Sequence, residues 1–430
     1  MTSEIRPVTR REVPEYLSVL PFANGLPSWE PAPATWHAGE GPWPPAGPQI
    51  TDEEAAAYAD VVLSDGYRSQ AAFVDGRIVG GSAMLSLELT VPGLRQVPFG
   101  GVTDTAVIAT HRRRGLLRAL MAAMFADCRD RGEPLAGLSA SEGSIYGRYG
   151  FAPATFQVRW ELERTDARFL DQVDPPAGLE LVSADVARAA WPSLHDRVRR
   201  QRVGEVSANA TTWSGLSDAP SGTAGPLRFL VHRGLDGEVD GIAHFRLPWS
   251  ADPKAAGTLQ VQTLQAATPA AYGALWRLLT DFDLTHRVIA AHRPVDEPLR
   301  WMLSNPRALR ITRSSDNLWL RLLDVGTALE ARSYDATGSV VLAVDDAVCP
   351  WNQDRWRLET EPGGAHCRRA PGADPDLALG ADALASLYLG GVQPAVLAGA
   401  GRIIELRPGA LDALARQMRQ DPAPYNAVGF

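Results

Sequence analysis

The chain is read as a mixed protein, between α/β and α+β in class, built from three consecutive units. Three observations predict this. Its 430 residues exceed what one ordinary hydrophobic core serves. β-Branched apolar runs alternate with helical ones, most clearly where Val102–Ala109 gives way to Leu116–Ala126. A hydrophobic content of 45% against 21% charged residues is that of an ordinary folded domain.

In chain order, residues 1–20 give a strand and a short helix. Residues 21–50, rich in Pro, Gly and Trp (Trp29, Trp36, Trp43), form a long irregular loop, and such loops are often functional. Asp52–Leu63 is helical. Ser69–Val79 and Gly81–Val91 pair as a hairpin around Asp75 and Gly76. After the long strand, a helix runs to Arg131 and a further strand covers Ala136–Ala140. Ser141–Phe151 is a helical turn and loop, and Phe156–Arg164 is expected to close the first unit as a strand. The second unit begins near 165, with a helix over Ala184–Arg202, a hairpin around Asp236 and Gly237, a strand Thr258–Ala266 and a helix Ala270–Asp283. The third starts near 313: strand Leu318–Leu323, helix Val325–Ala331, strands Gly338–Asp345 and Arg355–Glu361, helix Ala381–Leu389, strand Arg402–Leu406 and helix Pro408–Arg419. The expected units are 1–160, 161–312 and 313–430.

The most informative segment joins the long strand to its helix. Thr110 is the expected cap, and a capping box would place Glu or Gln at position 113, where this chain has Arg113. Arg112, Arg113 and Arg114 crowd the positive end of the helix dipole, at a cost of roughly 0.3–1 kcal/mol each. An anion held by free backbone N–H groups resolves the conflict, and Gly115 lets it approach the backbone. A solvated basic helix start is the bland alternative.

Bulk properties exclude several classes. A net charge of −8 argues against general nucleic-acid binding. Cys128, Cys349 and Cys367 are few, odd in number and scattered, which fits a reducing cytoplasm and no disulfide framework. The N-terminus shows no secretory apolar segment, and no apolar run is long enough to span a membrane. No His or Cys pairs have ligand spacing, so no metal is expected.

Thr110–Leu120 can be laid on Thr268–Leu278. The Thr, the Gly five residues later and the apolar positions coincide, while Ala270, Ala271 and Tyr272 replace the arginines. If this is a repeat, the second unit kept the strand-turn-helix and lost its anion site. One binding site per chain, in the first unit, follows.

The turn Arg112-x-x-Gly115-x-Leu117 resembles the acyl-CoA pyrophosphate site of GCN5-related N-acetyltransferases (GNAT), departing from Q/R-x-x-G-x-G/A at its last position. The longer string Thr110–Leu117, with Ala140-Ser141-Glu142 and Ile145–Gly150, is similar to the Eis family, the enhanced intracellular survival acetyltransferases. Leu387–Gly391 and Ala398–Ile403 resemble that family's sterol-carrier-like domain. The resemblance covers nearly the whole chain. It implies two tandem GNAT-like domains, the second degenerate, and a sterol-carrier-protein-like α/β domain, assembled as a homohexamer. It implies acetyl-CoA as donor and amines as acceptors, aminoglycosides foremost and lysine side chains second. Donor contacts carry over to Thr105, Ala106 and Val107, to Arg113, Arg114, Gly115, Leu116, Leu117 and Arg118 beside Arg112, and to Ser141 and Glu142. The general acid carries over to Tyr146 and the base to the terminal carboxylate of Phe430.

The chemistry agrees with those roles. A phenol stays protonated at neutral pH and can protonate a departing thiolate. Tyr149 has the same capacity by composition, and Glu142 is a second candidate base. A free C-terminus is ordinarily a frayed end, but this one is apolar and braced by Pro422 and Pro424. No cysteine lies in a nucleophile context, so transfer is expected within a direct ternary complex. The rival readings are a hydrophobic-ligand carrier, which needs an open apolar tunnel in residues 313–430, and a non-catalytic acyl-CoA sensor.

Overall fold

The computed structural model describes residues 3–24, 52–170, 178–208, 212–213, 225–248 and 257–430. Of the expected loop over 21–50, residues 21–24 instead belong to the helix Val13–Asn24, and the remainder, with Trp29, Trp36 and Trp43, lies outside the described residues. The first sheet is built on β1 (Ser3–Arg6), β2 (Tyr67–Val74), β3 (Arg77–Val91), β4 (Arg95–Val107), β5 (Leu135–Ser139) and β6 (Ala152–Pro153). The β2–β3 turn is the expected one, with Asp75 and Gly76 both at positive φ, which matches the twist of a two-residue hairpin. Helices α1 (Val13–Asn24), α2 (Asp52–Val62), α3 (Leu116–Asp130) and the single turn α4 (Gly143–Tyr146) surround it.

The second sheet comprises β7 (Phe156–Glu163), β8 (Leu179–Val182), β9 (Leu227–Arg233), β10 (Val239–Arg246), β11 (Thr258–Ala266), β12 (Arg287–Pro294) and β13 (Arg310–Asp316). They stand in the order β13-β7-β12-β11-β10-β9-β8, with α5 (Ala184–Arg199) and the helix Pro269–Thr280 against it. Its core is Trp160, Trp276, Phe245 and the leucines around them, the two indoles 4.9 Å apart.

Two strands depart from the expected units. Phe156–Glu163 does not close the first sheet. It pairs with β12 and β13 in the second. Conversely, β14 (Leu318–Leu322), expected to open the third unit, pairs with β5 and β6, and the first sheet runs β1-β2-β3-β4-β5-β14-β6. The reason is burial: β14 is sealed on both faces, and a strand apolar on both faces needs the interior of a sheet, not an edge.

The third sheet, β15 (Gly338–Asp345), β16 (Asp354–Glu361), β17 (Gly364–Arg369), β18 (Leu377–Gly380) and β19 (Ile403–Glu405), runs β17-β16-β15-β18-β19. Its helices Ala381–Tyr388 and Ala410–Met418 end on one buried cation. Arg332, fully enclosed, donates to the carbonyls of Tyr388 and Met418, satisfying the negative ends of both helices. Val340, Leu342, Trp356, Leu384 and Leu387 fill this domain's interior, and its core is continuous with Leu85, Leu87 and Phe99 on one face of the first sheet. The other face of that sheet carries Met84, Val102, Met121, Phe125 and Tyr146.

Candidate active site

Strands β4 and β5 are parallel neighbours only briefly, from Phe99 to Gly101 against Leu135 to Gly137. Beyond that they separate, leaving a cleft between Val102–Val107 and the segment after Ser139. A bulge helps to open it. The pairing of β3 with β4 steps from Gly81↔Ala106 to Ala83↔Thr103, so Asp104 and Thr105 oppose the single residue Ser82. Asp104 takes φ +48°, and the Ser82 and Thr105 hydroxyls are 2.6 Å apart. Backbone N–H groups alternate sides along a strand. Ile108 N–H donates to Val79 on the β3 side, so that of Val107 faces the cleft.

At the end of β4 the structure corrects the expected cap. Ala109–His111 form a short turn of 3-10 helix, and α3 begins at Leu116 with Gly115, at φ +81°, as its cap. Thr110 is too early, because Arg113 at φ +63° and Gly115 break the helical path between them. Gly115 makes no side-chain cap, and a Cβ there would meet nothing within 4 Å. The first helical bond runs from Ala119 N to Gly115 O, so the N–H groups of Leu116, Leu117 and Arg118 lack intrahelical partners. This is an open, electropositive cradle, and its residues fit a diphosphate. The arginines divide the work. Arg112 donates to Val107 O at 3.1 Å and Arg114 to Thr110 O at 3.1 Å, so both brace the turn while Arg113 and Arg118 lie exposed beside the cradle.

Across the cleft, Ser141 and Glu142 are exposed and Tyr146 is buried against Phe151, ring edge to face at 6.3 Å. Burial raises its phenol pKa, a hydrogen bond with Ser141 opposes this, and the charge of Glu142 adds to it. Tyr149 is buried too, with its pKa raised by burial and lowered by Arg148 and Arg118.

The last residues reach the cleft from the opposite face. Tyr425 N–H donates to Val203 O at 2.8 Å, Ala427 N–H to Glu205 Oε2 at 2.9 Å, and Asn317 Nδ2 to Asn426 O at 2.6 Å. Glu205 is buried, and burial pushes its carboxyl up to about 7 against the opposing Ala427 bond and the charges of Arg202 and Arg293. These contacts lead Phe430 onto Phe99 and Gly101, where a Cβ on Gly101 would lie 2.9 Å from its ring. Val102, the next residue, faces the Tyr146 side. Tyr146 and Phe430 therefore flank the parting strands from opposite faces. A cavity of about 280 Å³ beside Phe430 is lined by Tyr67, Leu85, Thr103, Asp104, Thr212 and Gly429. A second, of about 470 Å³, adjoins Ser139, His292, Arg313 and Gly429 on the far side of the tail.

Sequence reasoning missed Tyr67, Asp104 and Glu205. Asp104 left a trace, as the lone carboxylate of its strand. Glu205, whose bonds to Thr90 and Ala427 join positions far apart in sequence, left none.

The second sheet repeats the strand-turn-helix, and β11 and β12 also part after Val261 and Ala290, but the chain's own groups occupy the parting. Thr268 accepts from Ala271 N at 3.1 Å and donates to Asp240 Oδ2 at 2.9 Å, so the chain's own carboxylate sits at that helix start. Where β11 leaves β12, Arg293 donates to Leu264 O at 3.0 Å and pairs with Glu297 at 2.7 Å, both buried. By the internal match Leu264 aligns with Ala106, but whereas Ala106 faces β3, the Leu264 carbonyl turns towards Arg293 of β12. That carbonyl is already taken.

Among the described residues no group of His, Cys, Asp and Glu is arranged to hold a metal, and no helix is long and apolar enough to cross a membrane.

Known proteins resemble this chain in sequence and fold. Residues 47–154 and 204–322 each match a model described as an acetyltransferase (GNAT) domain, and 325–427 match a sterol carrier protein domain. The chain is 42% identical over 364 residues to an N-acetyltransferase of Streptomyces coelicolor, covering 82% of this chain and 86% of that one. It is 35% identical over 369 residues to the N-acetyltransferase Eis of Mycobacterium tuberculosis, covering 82% and 87%. The crystal structure of Eis1 from Mycobacterium abscessus superimposes with a TM-score of 0.82 at 30% identity over 100% of both chains. A GCN5-related N-acetyltransferase from Anabaena variabilis shares the fold, with a TM-score of 0.80 at 18% identity and complete coverage of both. With tandem GNAT domains, a sterol-carrier-like third domain and these relatives across most of its length, the chain belongs to the Eis family of N-acetyltransferases.

Proposed function

We propose that this N-acetyltransferase takes acetyl-CoA as donor and acetylates primary amines in a direct ternary complex, with aminoglycosides the leading acceptors and lysine side chains next. The observation that carries the reading is the cleft where β4 leaves β5, with the Gly115 cradle at one end and Phe430 on its far face. The diphosphate of the donor docks at the N–H groups of residues 116–118, flanked by Arg113 and Arg118, with Arg112 and Arg114 stiffening the turn. Thr105–Val107 pair with the pantetheine arm, and Val107 N–H meets the thioester oxygen, where charge develops. Ser141 and Glu142 border the arm.

The terminal carboxylate of Phe430 removes a proton from the acceptor ammonium. The Phe430 carboxylate passes that proton to solvent, the amine nitrogen bonds to the thioester carbon, and the carboxylate then takes the excess proton from the nitrogen of the tetrahedral intermediate. The carbon–sulfur bond breaks, and the Tyr146 hydroxyl supplies the thiolate's proton. Burial keeps that phenol protonated at neutral pH. The second GNAT domain takes no donor, because Arg293 and Asp240 fill the equivalent places, and the third braces the tail. The chain assembles as a homohexamer and works in the cytoplasm. The third domain has a cavity of about 490 Å³, but Asp345, Gln353, Asp382 and Arg402 share its lining with Leu379 and Ile404, so it lacks the apolar wall a carrier needs.

The test is thiol release from acetyl-CoA with a panel of aminoglycosides, polyamines and lysine peptides. Turnover with at least one class is expected, and silence with all of them sinks the proposal.

A further inference from the structure

We infer that Asp104 is a specificity residue of this site: it binds a second ammonium group on the acceptor, so compact diamines are preferred over monoamines of the same frame. This deepens the amine-acetylation reading above and rests on it.

The argument begins with the bulge. An extra residue on β4 turns one side chain out of the sheet, and Asp is among the few residues that tolerate the left-handed backbone found there. The carboxylate then lines the cavity beside Phe430. It is held in place from one side only. The Tyr67 hydroxyl donates to Oδ2, while Oδ1 receives no hydrogen bond from any described residue. Tyr67 is itself fixed within the fold. Its ring packs against the core under α1, and burial together with the neighbouring Tyr16 and Asp104 keeps its phenol protonated, and so a donor.

Charge is the second strand of the argument. Of the described residues lining the cavity, Tyr67, Leu85, Thr103, Asp104, Thr212, Gly429 and Phe430, none is a cation. No described Arg, Lys or His pairs with Asp104, in a chain whose carboxylates otherwise engage arginines repeatedly. An exposed carboxylate that no described cation neutralises, lining a cavity of about 280 Å³ next to the residue whose own carboxylate takes the reacting amine's proton, is complementary to a small dication. One ammonium is placed for reaction at Phe430, and the other rests on Asp104 Oδ1. Leu85 and the Phe430 ring supply the apolar wall for the methylenes between them.

The experiment compares 1,4-diaminobutane with n-butylamine on the full-length wild type and on Asp104→Asn. Asn keeps the size, tolerates the backbone and still accepts from Tyr67. In the variant KM for the diamine should rise about fivefold with kcat nearly unchanged, as for loss of one exposed ion pair of about 1 kcal/mol. For butylamine, kcat/KM should stay within about twofold, and acetyl-CoA affinity by calorimetry should not move. Equal losses on both amines, or an unchanged diamine preference, overturn the assignment of Asp104 while leaving amine acetylation standing. A wild type that acetylates neither these nor any amine of the wider panel overturns both.

Discussion

The ring of Phe430 meets that of Phe99 edge to face, with centroids 5.8 Å apart and planes at 84°. Phe99 is also where β4 first pairs with β5, so Phe430 is seated on the hinge of the cleft. Phe430→Ala keeps a terminal carboxylate and removes the seat. Such an aromatic pair is worth about 0.5–1.5 kcal/mol beyond its burial, so kcat should fall about tenfold. Deleting Phe430, or extending it with a tag, should abolish thiol release while calorimetry still shows donor binding. Gly101→Ala, which drives a methyl into the ring, should act like the alanine variant.

The cradle makes a separate expectation. Gly115→Ala forces an L side chain to φ +81°, costing roughly 1–2 kcal/mol and lowering the melting temperature, although a Cβ has room there. Arg113→Asn suits its backbone better and removes only the charge. Its CoA affinity should drop about tenfold, and the dependence of that affinity on salt should flatten.

Tyr146 and Tyr149 are both buried phenols three residues apart in sequence. Tyr146→Phe should lower kcat by about 10²- to 10⁴-fold with little change in KM. Tyr149→Phe should stay within a few-fold. The reverse ranking would move the acid role to Tyr149.

Glu205 links tail docking to pH. Its carboxyl is raised from an ordinary 4.5 to about 7 in the folded chain, so the folded state holds that proton more tightly than the unfolded one. The associated stability is complete below pH 4.5 and is lost as pH climbs through 7, by roughly 3 kcal/mol. Glu205→Gln should remove this slope in urea melts taken between pH 5 and 8, yet still accept from Ala427.

The first and third sheets are joined by Arg321 on β14 and Asp346 just after β15, 2.6 Å apart and sealed from solvent. Asp346 also accepts from Cys349 N and Asn352 Nδ2. Asp346→Ala should cost about 3–5 kcal/mol in chemical denaturation, because it strands a buried cation.

Much of this molecule is legible in its sequence. The hairpins at Asp75-Gly76 and Asp236-Gly237, the apolar faces of α3 and of Pro269–Thr280, and the unfavourable charges ahead of α3 are local signals, set by a few neighbouring residues. The repeat at Thr268 was readable for the same reason. What escaped is non-local. Nothing near Phe156 tells that its partners are β12 and β13, and nothing near Leu318 tells that it enters another unit's sheet. The start of α3 differs from the Thr110 cap that side-chain chemistry predicts, because the decisive property, two left-handed residues at 113 and 115, belongs to the backbone.

The exchanged strands have a consequence for biosynthesis. The sheet that carries Tyr146 and seats Phe430 is incomplete until Leu318–Leu322 emerge from the ribosome, after the whole second sheet has been made. Until then Leu138 and Trp319's other future neighbours wait with an open edge, a template for wrong partners. A gene cut between the units would leave that edge exposed for good, so fragments should aggregate where the intact chain folds.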